Sequence, residues 1–133
     1  MDFHDYQVGE EFPIIQNDEI TRVQLVKYAG ASGDFNPLHT VDEIGEKAGT
    51  GVIAHGMLIM GMASKGITSW FPRKTIKNVD VRFQKMTRPG ETIQITGRVI
   101  DKKEERLIGE VVASNSHGEV KMKGTFEVEL LTI

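Results

Sequence analysis

"HGMLIMGMASKGITSWF", residues 55–71, is the most apolar stretch of the chain. It has the length of a helix and lacks the polar stripe of a surface helix, so it is expected to be buried on most sides. Gly56, Gly61 and Gly66 cost helix propensity. In return they let other backbone come close, as it would if a sheet wrapped around the helix.

The sequence on the C-terminal side supplies such a sheet. "NVDVRFQKMT" (78–87), "TIQITGRVID" (92–101), "RLIGEVVASN" (106–115) and "VKMKGTFEVELL" (120–131) read as strands. Alternation is clearest in the last, where Val120, Met122 and Gly124 face opposite to Lys121 and Lys123. Turns fall at 88–91, 101–106 and 116–119, which predicts four consecutive strands in an antiparallel meander. On the N-terminal side, "EFPIIQ" (11–16) reads as a short strand. "TRVQLVKYAG" (21–30) reads as a helix with Thr21 and Gln24 at capping-box spacing and Gly30 as its stop. Residues 31–40 form a turn region, and "VDEIGEKAG" (41–49) a short helix ending at Gly49. The architecture is therefore α+β, a single domain over residues 1–133, with a sheet that curls round the apolar helix. Exposed sheet edges in so small a domain favour pairing with a second copy.

Bulk properties narrow the function. The 133 residues are 39% hydrophobic and 26% charged, with a formal net charge of −3, which is the balance of an ordinary globular protein and gives no electrostatic footprint for nucleic acid. The opening "MDFHDYQVGEEF" is too polar for a signal peptide, and no apolar run approaches the roughly 18 residues that span a bilayer. The chain has no cysteine, hence no disulfide or thiolate metal site, and the balance fits a cytoplasmic location.

"ASGDFNPLHT" (31–40) carries the chemistry. Asp34 and His39 are five apart, which a continuous helix would spread about 140° around its axis. Pro37 prevents that helix, biasing Asn36 to an extended conformation. A sharp turn can then fold the acid and the imidazole toward one spot. One reading is structural: Asp34 caps the turn and His39 satisfies a backbone carbonyl. The other is an acid/base pair sharing a water, which one member activates while the other moves a proton on or off carbon. "AHGM" (54–57) adds a second element. Gly56 falls in the first turn of the apolar helix, where backbone N–H groups lack intrahelical partners and the dipole adds partial positive charge. Such a donor stabilises charge growing on a carbonyl oxygen; alternatively the glycine serves only tight packing. His55 reads as a structural or capping histidine.

"YAGASGDFNPLH" (28–39) followed by "AHGM" (54–57) resembles the signature of the MaoC-like, hydratase-2 family of (R)-specific enoyl-CoA hydratases and (3R)-hydroxyacyl-thioester dehydratases. "VRFQKMTRPGE" (81–91) is similar to that family's strand ending in Pro-Gly. The resemblance implies a hot-dog fold, a curved antiparallel sheet wrapped round one long helix, and a homodimer. It makes Asp34 and His39 the catalytic pair, with Asn36 shaping the same pocket, Gly56 binding the thioester oxygen and Ser64 a further active-site position. It implies a substrate carried by coenzyme A or acyl carrier protein, with no metal and no further cofactor. Two positions depart from the pattern: Val41 where an acid is common, and Gly45 where alanine is usual. The same fold also serves acyl-thioesterases and non-catalytic acyl-binding subunits, which stand as the alternatives. Finally, Arg73, Lys74, Lys77, Arg82, Lys85 and Arg88 face a single acid, Asp80, within residues 72–88. They form either a solvated sheet face or a contact for coenzyme A phosphates or an acidic carrier protein.

Overall fold

The structure, a computed structural model, describes residues 6–132. In chain order it contains β1 (Ile15–Glu19), α1 (Arg22–Ser32), a 3-10 turn (Pro37–His39), α2 (Asp42–Ala48), α3 (Gly56–Trp70), β2 (Lys74–Phe83), β3 (Thr92–Lys102), β4 (Arg106–Asn115) and β5 (Val120–Thr132). No helix among the described residues is long and apolar enough to cross a membrane.

The five strands form one antiparallel sheet in the order β1-β3-β4-β5-β2. The expected four-strand meander is therefore confined to β3, β4 and β5. β2 lies on the far edge against β5, with Val79 opposite Phe126 and Val81 opposite Gly124. The reason is the path of the chain around α3. Leaving α3 at Trp70, it turns back within a few residues and runs along the helix toward its start, where Phe83 packs against Gly56. Residues 84–91 then cross the N-terminal end of α3 to reach β3 at the opposite side. β2 accordingly starts and ends four residues earlier than the expected 78–87.

Three other boundaries move. The first strand is Ile15–Glu19 rather than 11–16. Glu11 makes only an isolated bridge to Arg98, and Pro13, with no N–H to offer a ladder, gives its carbonyl to Trp70 Nε1 at 2.8 Å. α1 continues through Gly30 to Ser32 and stops at Gly33, whose φ of 77° is the left-handed C-terminal conformation. Its start is as expected, with Thr21 Oγ1 accepting from Gln24 N–H at 3.1 Å, a cap worth about 1 kcal/mol. α2 also ends as expected, at Gly49.

α3 is covered on one side only. Ile59, Ala63, Gly66, Ile67 and Trp70 are buried against the sheet. Met57, Gly61, Lys65, Thr68 and Ser69 face outward, which corrects the expectation of burial on most sides: a single curved sheet has only one concave face to offer. Close approach does occur at Gly66, where a Cβ would lie 3.0 Å from Ile95 Cγ2 and 3.3 Å from Ile15 Cδ1. At the C-terminal end of α3, Phe12 stacks on Trp70 with centroids 4.6 Å apart, and Tyr6, Phe71 and Phe126 complete an aromatic plug. This plug closes one end of the helix–sheet seam. The other end, at Gly56, stays open.

Lys121 departs from the expected alternation. Its strand position is polar-facing by pattern, yet the residue is 1% exposed. Nζ lies 2.7 Å from Glu91 Oε1 and 2.5 Å from Glu119 Oε1, and donates to Met86 O at 2.8 Å. Asn115 Nδ2 also donates to Glu91 Oε1 at 2.8 Å. A buried ammonium is tolerable only when so compensated. Here it pins the crossing segment 84–91 to the start of β5.

Candidate active site

The loop after α1 is a nest of local hydrogen bonds. Asp34 Oδ1 accepts from Asn36 N–H at 3.3 Å, and Asn36 Oδ1 accepts from Leu38 N–H at 3.0 Å, capping the Pro37–His39 turn. These are the turns that Asp and Asn favour, because their side chains mimic a backbone carbonyl. Asn36 has φ −54° and ψ 120°, the extended geometry required before proline. Asp34 uses one carboxylate oxygen on its own loop and keeps the other free.

That free oxygen faces the histidine. Asp34 Oδ2 is 3.7 Å from His39 Nε2, too long for a direct hydrogen bond and close enough for both to hold one water. His39 Nδ1 lies 2.8 Å from Ile53 O. A carbonyl can only accept, so Nδ1 carries a proton and Nε2 is the nitrogen turned toward Asp34. Ile53 N–H in turn donates to Leu38 O at 3.2 Å, so two bonds fasten the turn to the strand-like segment leading into α3. Arg22 clamps the far side through Asp42 at 2.8 Å and Thr40 O at 3.2 Å.

His55 precedes Gly56 at the helix start. Its side chain makes no capping bond; instead Nε2 lies 3.1 Å from Asp34 O. Its ring stacks on that of His39, with centroids 3.7 Å apart and planes 22° from parallel. Tyr28 meets the His55 ring edge-on at 4.8 Å. Asp34, His39 and His55 thus offer potential ligand atoms within 4.8 Å of one another. Two stacked imidazoles send their lone pairs along nearly parallel planes, however, which is a poor approach to one shared ion.

A cavity of about 270 Å³ opens beside these residues, lined among others by His39, Gly56, Ile59, Phe83, Thr87 and Lys121. Ala54 and Thr87, both buried, join across its wall, Ala54 N–H donating to Thr87 O at 2.7 Å. Gly56, the first residue of α3, is exposed to it, and a Cβ there would stand 3.3 Å from Phe83 Cε1. Asp34 and Asn36 sit outside the cavity lining, in the exposed loop over its edge. Ser64 is half-buried two turns along α3, about 12 Å from Gly56 in axial distance, and is not part of the lining. The loop therefore brings Asp34 and His39 together near Gly56, with Asn36 as the turn's cap, and leaves Ser64 apart.

Sequence reasoning misses three residues here. Phe83 is read only as part of a strand, Lys121 only as facing opposite to Met122, and His55 as a structural or capping residue. For Lys121 the partners Glu91 and Met86 lie some thirty residues away in sequence, and no local pattern points to them. His55 carries a signal, since it adjoins Gly56, but its contact with Asp34 depends on tertiary packing.

The departures from the family pattern are local. Val41 occupies the N-cap of α2 without a side-chain bond. Gly45 has its Cα against the backbone of residues 51–52, where a Cβ would fall 2.3 Å from Gly51 C.

Comparison with known proteins agrees with the fold. The pattern of the family described as "MaoC like domain" matches residues 5–121. A probable enoyl-CoA hydratase 2 from Dictyostelium discoideum is 40% identical over an alignment 75 residues long that covers 53% of this chain. The match spans only about a quarter of that protein's length (26%). An R-hydratase, PhaJ1, from Pseudomonas aeruginosa superposes with a TM-score of 0.88 at 23% identity, covering 96% of this chain and 84% of that one. The (R)-hydratase from A. caviae involved in PHA biosynthesis gives 0.86 at 20% identity, covering 96% and 98%. At such identities the structures speak to the fold: a hot-dog, with a curved five-stranded antiparallel sheet around α3. With the match running from residue 5 to residue 121, the chain belongs to the family of MaoC-like domains.

Proposed function

We propose that the protein is an (R)-specific enoyl-thioester hydratase, equally a (3R)-hydroxyacyl-thioester dehydratase, adding water reversibly across the C2–C3 double bond of a trans-2-enoyl thioester. The observation that carries this reading is the 3.7 Å gap between Asp34 Oδ2 and His39 Nε2 beside a helix start at Gly56. Water is too weak a nucleophile to add unaided, and C2 becomes basic only when charge has moved onto the thioester oxygen. The Gly56 N–H holds that charge, helped by the α3 dipole. Asp34 and His39 hold the water and share the proton traffic between C3 and C2, the oxygen and the hydrogen arriving on one face. The Nδ1–H bond to Ile53 O keeps His39 Nε2 directed at that water.

In this reading the thioester is carried by coenzyme A or phosphopantetheine, and the reaction itself asks for no metal and no redox cofactor. Lys85 lines the cavity, and Arg82 and Arg88 are exposed nearby, which supports a cationic approach for the carrier's phosphates or for an acidic carrier protein. The free edges at β1 and β2 and the outward stripe of α3 support a homodimer. Asn36 shapes the loop through its cap. A role for Ser64 requires a substrate that reaches beyond the present cavity lining.

The test is an assay of purified protein alone on trans-2-enoyl-CoA esters of increasing chain length. Loss of enone absorbance with the thioester intact supports hydration. Release of free thiol would instead identify a thioesterase, and the absence of either reaction would leave an acyl-binding subunit.

A further inference from the structure

His55 is 1% exposed, and its Nδ1 is buried with no hydrogen-bond partner. Its Nε2 lies 3.1 Å from the Asp34 carbonyl, which can only accept, so Nε2 donates there and Nδ1 is the nitrogen left without a partner. A residue kept for packing alone would not carry that orphan, because an apolar ring of the same shape would fill the site without it. What the imidazole adds is the N–H directed at Asp34, together with a flat face laid on His39 at 3.7 Å.

These contacts have a mechanical consequence. One hydrogen bond, Nδ1–H to Ile53 O, fixes where the His39 ring sits but leaves it free to turn about the bond. The stacked His55 ring removes that rotation, and Tyr28, edge-on at 4.8 Å, backs His55 from another side. The same side chain ties down the backbone of Asp34, and its own residue is the N-cap of α3, immediately before Gly56.

We propose that His55 is a positioning residue for the reaction, a single strut that sets the plane of the His39 imidazole, the height of the Asp34 loop and the turn presenting the Gly56 N–H. It touches none of the reacting atoms. The inference rests on the hydratase reading above, and it assigns within that site the element that aligns the three groups.

The experiment compares the wild type with His55→Phe, which keeps a ring to stack but loses the donor to Asp34, and His55→Gln, which keeps an N–H but loses the ring. Expected for both is a fall in kcat of up to about 10²-fold, the scale of a small misplacement. KM and the Kd of a saturated acyl-CoA should stay within about threefold. The thermal midpoint of each variant is read alongside, so that kinetics are compared at a temperature where both are folded. Wild-type kcat in His55→Phe, or a loss of saturated acyl-CoA binding as large as the loss of kcat, would overturn the proposal. A second measurement is independent of turnover. Imidazole 1H–15N spectra of the unliganded wild type should show His55 as the Nε2–H tautomer and His39 as the Nδ1–H tautomer, with the His39 signature altered in both variants. An unaltered His39 signature would overturn the proposal even if one variant folded poorly. Wild-type protein with no hydratase activity would fail the functional reading, while the spectra still decided the positioning.

Discussion

Lys121 Nζ and Glu91 Oε1 lie 2.7 Å apart where the lysine is 1% exposed, and the bond joins the start of β5 to the segment that roofs the cavity. Burial alone pushes the Glu91 carboxyl up. The hydrogen bonds from Lys121, Arg88 N–H and Asn115, with the lysine charge, outweigh it and hold the group below the usual glutamate value of 4.5. Glu119 is also held low, chiefly by its hydrogen bond to Lys121.

A pH dependence follows from that direction. Glutamates whose folded value is depressed add stability that is complete above their unfolded value and lost as pH falls through the folded one. Denaturation measured from pH 7 to pH 3 should show stability declining below about 4.5, more steeply in the wild type than in Lys121→Met. At pH 7 the Lys121→Met protein should be the less stable of the two, because Glu91 and the Met86 carbonyl lose the ammonium that joins them. Identical acid slopes in the two proteins would remove the trio as the cause.

Gly45→Ala tests the packing between α2 and the loop that leads to the site. The added methyl would fall 2.3 Å from Gly51 C and 2.6 Å from Val52 N. These are backbone atoms that cannot swing away. The expected cost is about 1–3 kcal/mol in thermal or urea unfolding. An unchanged midpoint would mean that the 50–52 loop shifts freely.

Gly56→Ala separates packing from chemistry. Here the methyl meets Phe83 Cε1 at 3.3 Å, and Phe83 is half exposed, so the ring can yield. Stability should change by less than about 0.5 kcal/mol. Turnover should fall by about 10²-fold, because the substrate carbonyl can no longer settle against the helix start. Unchanged kinetics would take Gly56 out of the oxyanion role.

Much of this architecture was legible in the residues. The apolar run at 55–71 identified α3 to within a residue at either end, because no other stretch of the chain is both that long and that apolar. Thr21, Pro37 and Gly49 marked their turns through local chemistry, which sequence records directly. Strand order was not legible. The alternation of β2 says that one face is buried but not which neighbour it pairs with, and its placement beside β5 depends on the chain rounding α3. The same holds for Lys121 and for the contact between His55 and Asp34, since each is set by segments distant in sequence. Gly30 differs in kind: a glycine there looks like a helix stop, yet the helix runs through it and Gly33, three residues on, takes the left-handed conformation.

The most direct test of the account is the hydration rate of Asp34→Asn, His39→Ala and the double variant on a trans-2-enoyl-CoA that the wild type hydrates, with saturated acyl-CoA binding measured alongside. Each single change should lower kcat about 10²–10⁴-fold with binding retained. The double variant should be little worse than the poorer single one, because the two groups act on one water as a unit. Hydration within twofold of wild type by either single variant would contradict a shared role for the pair.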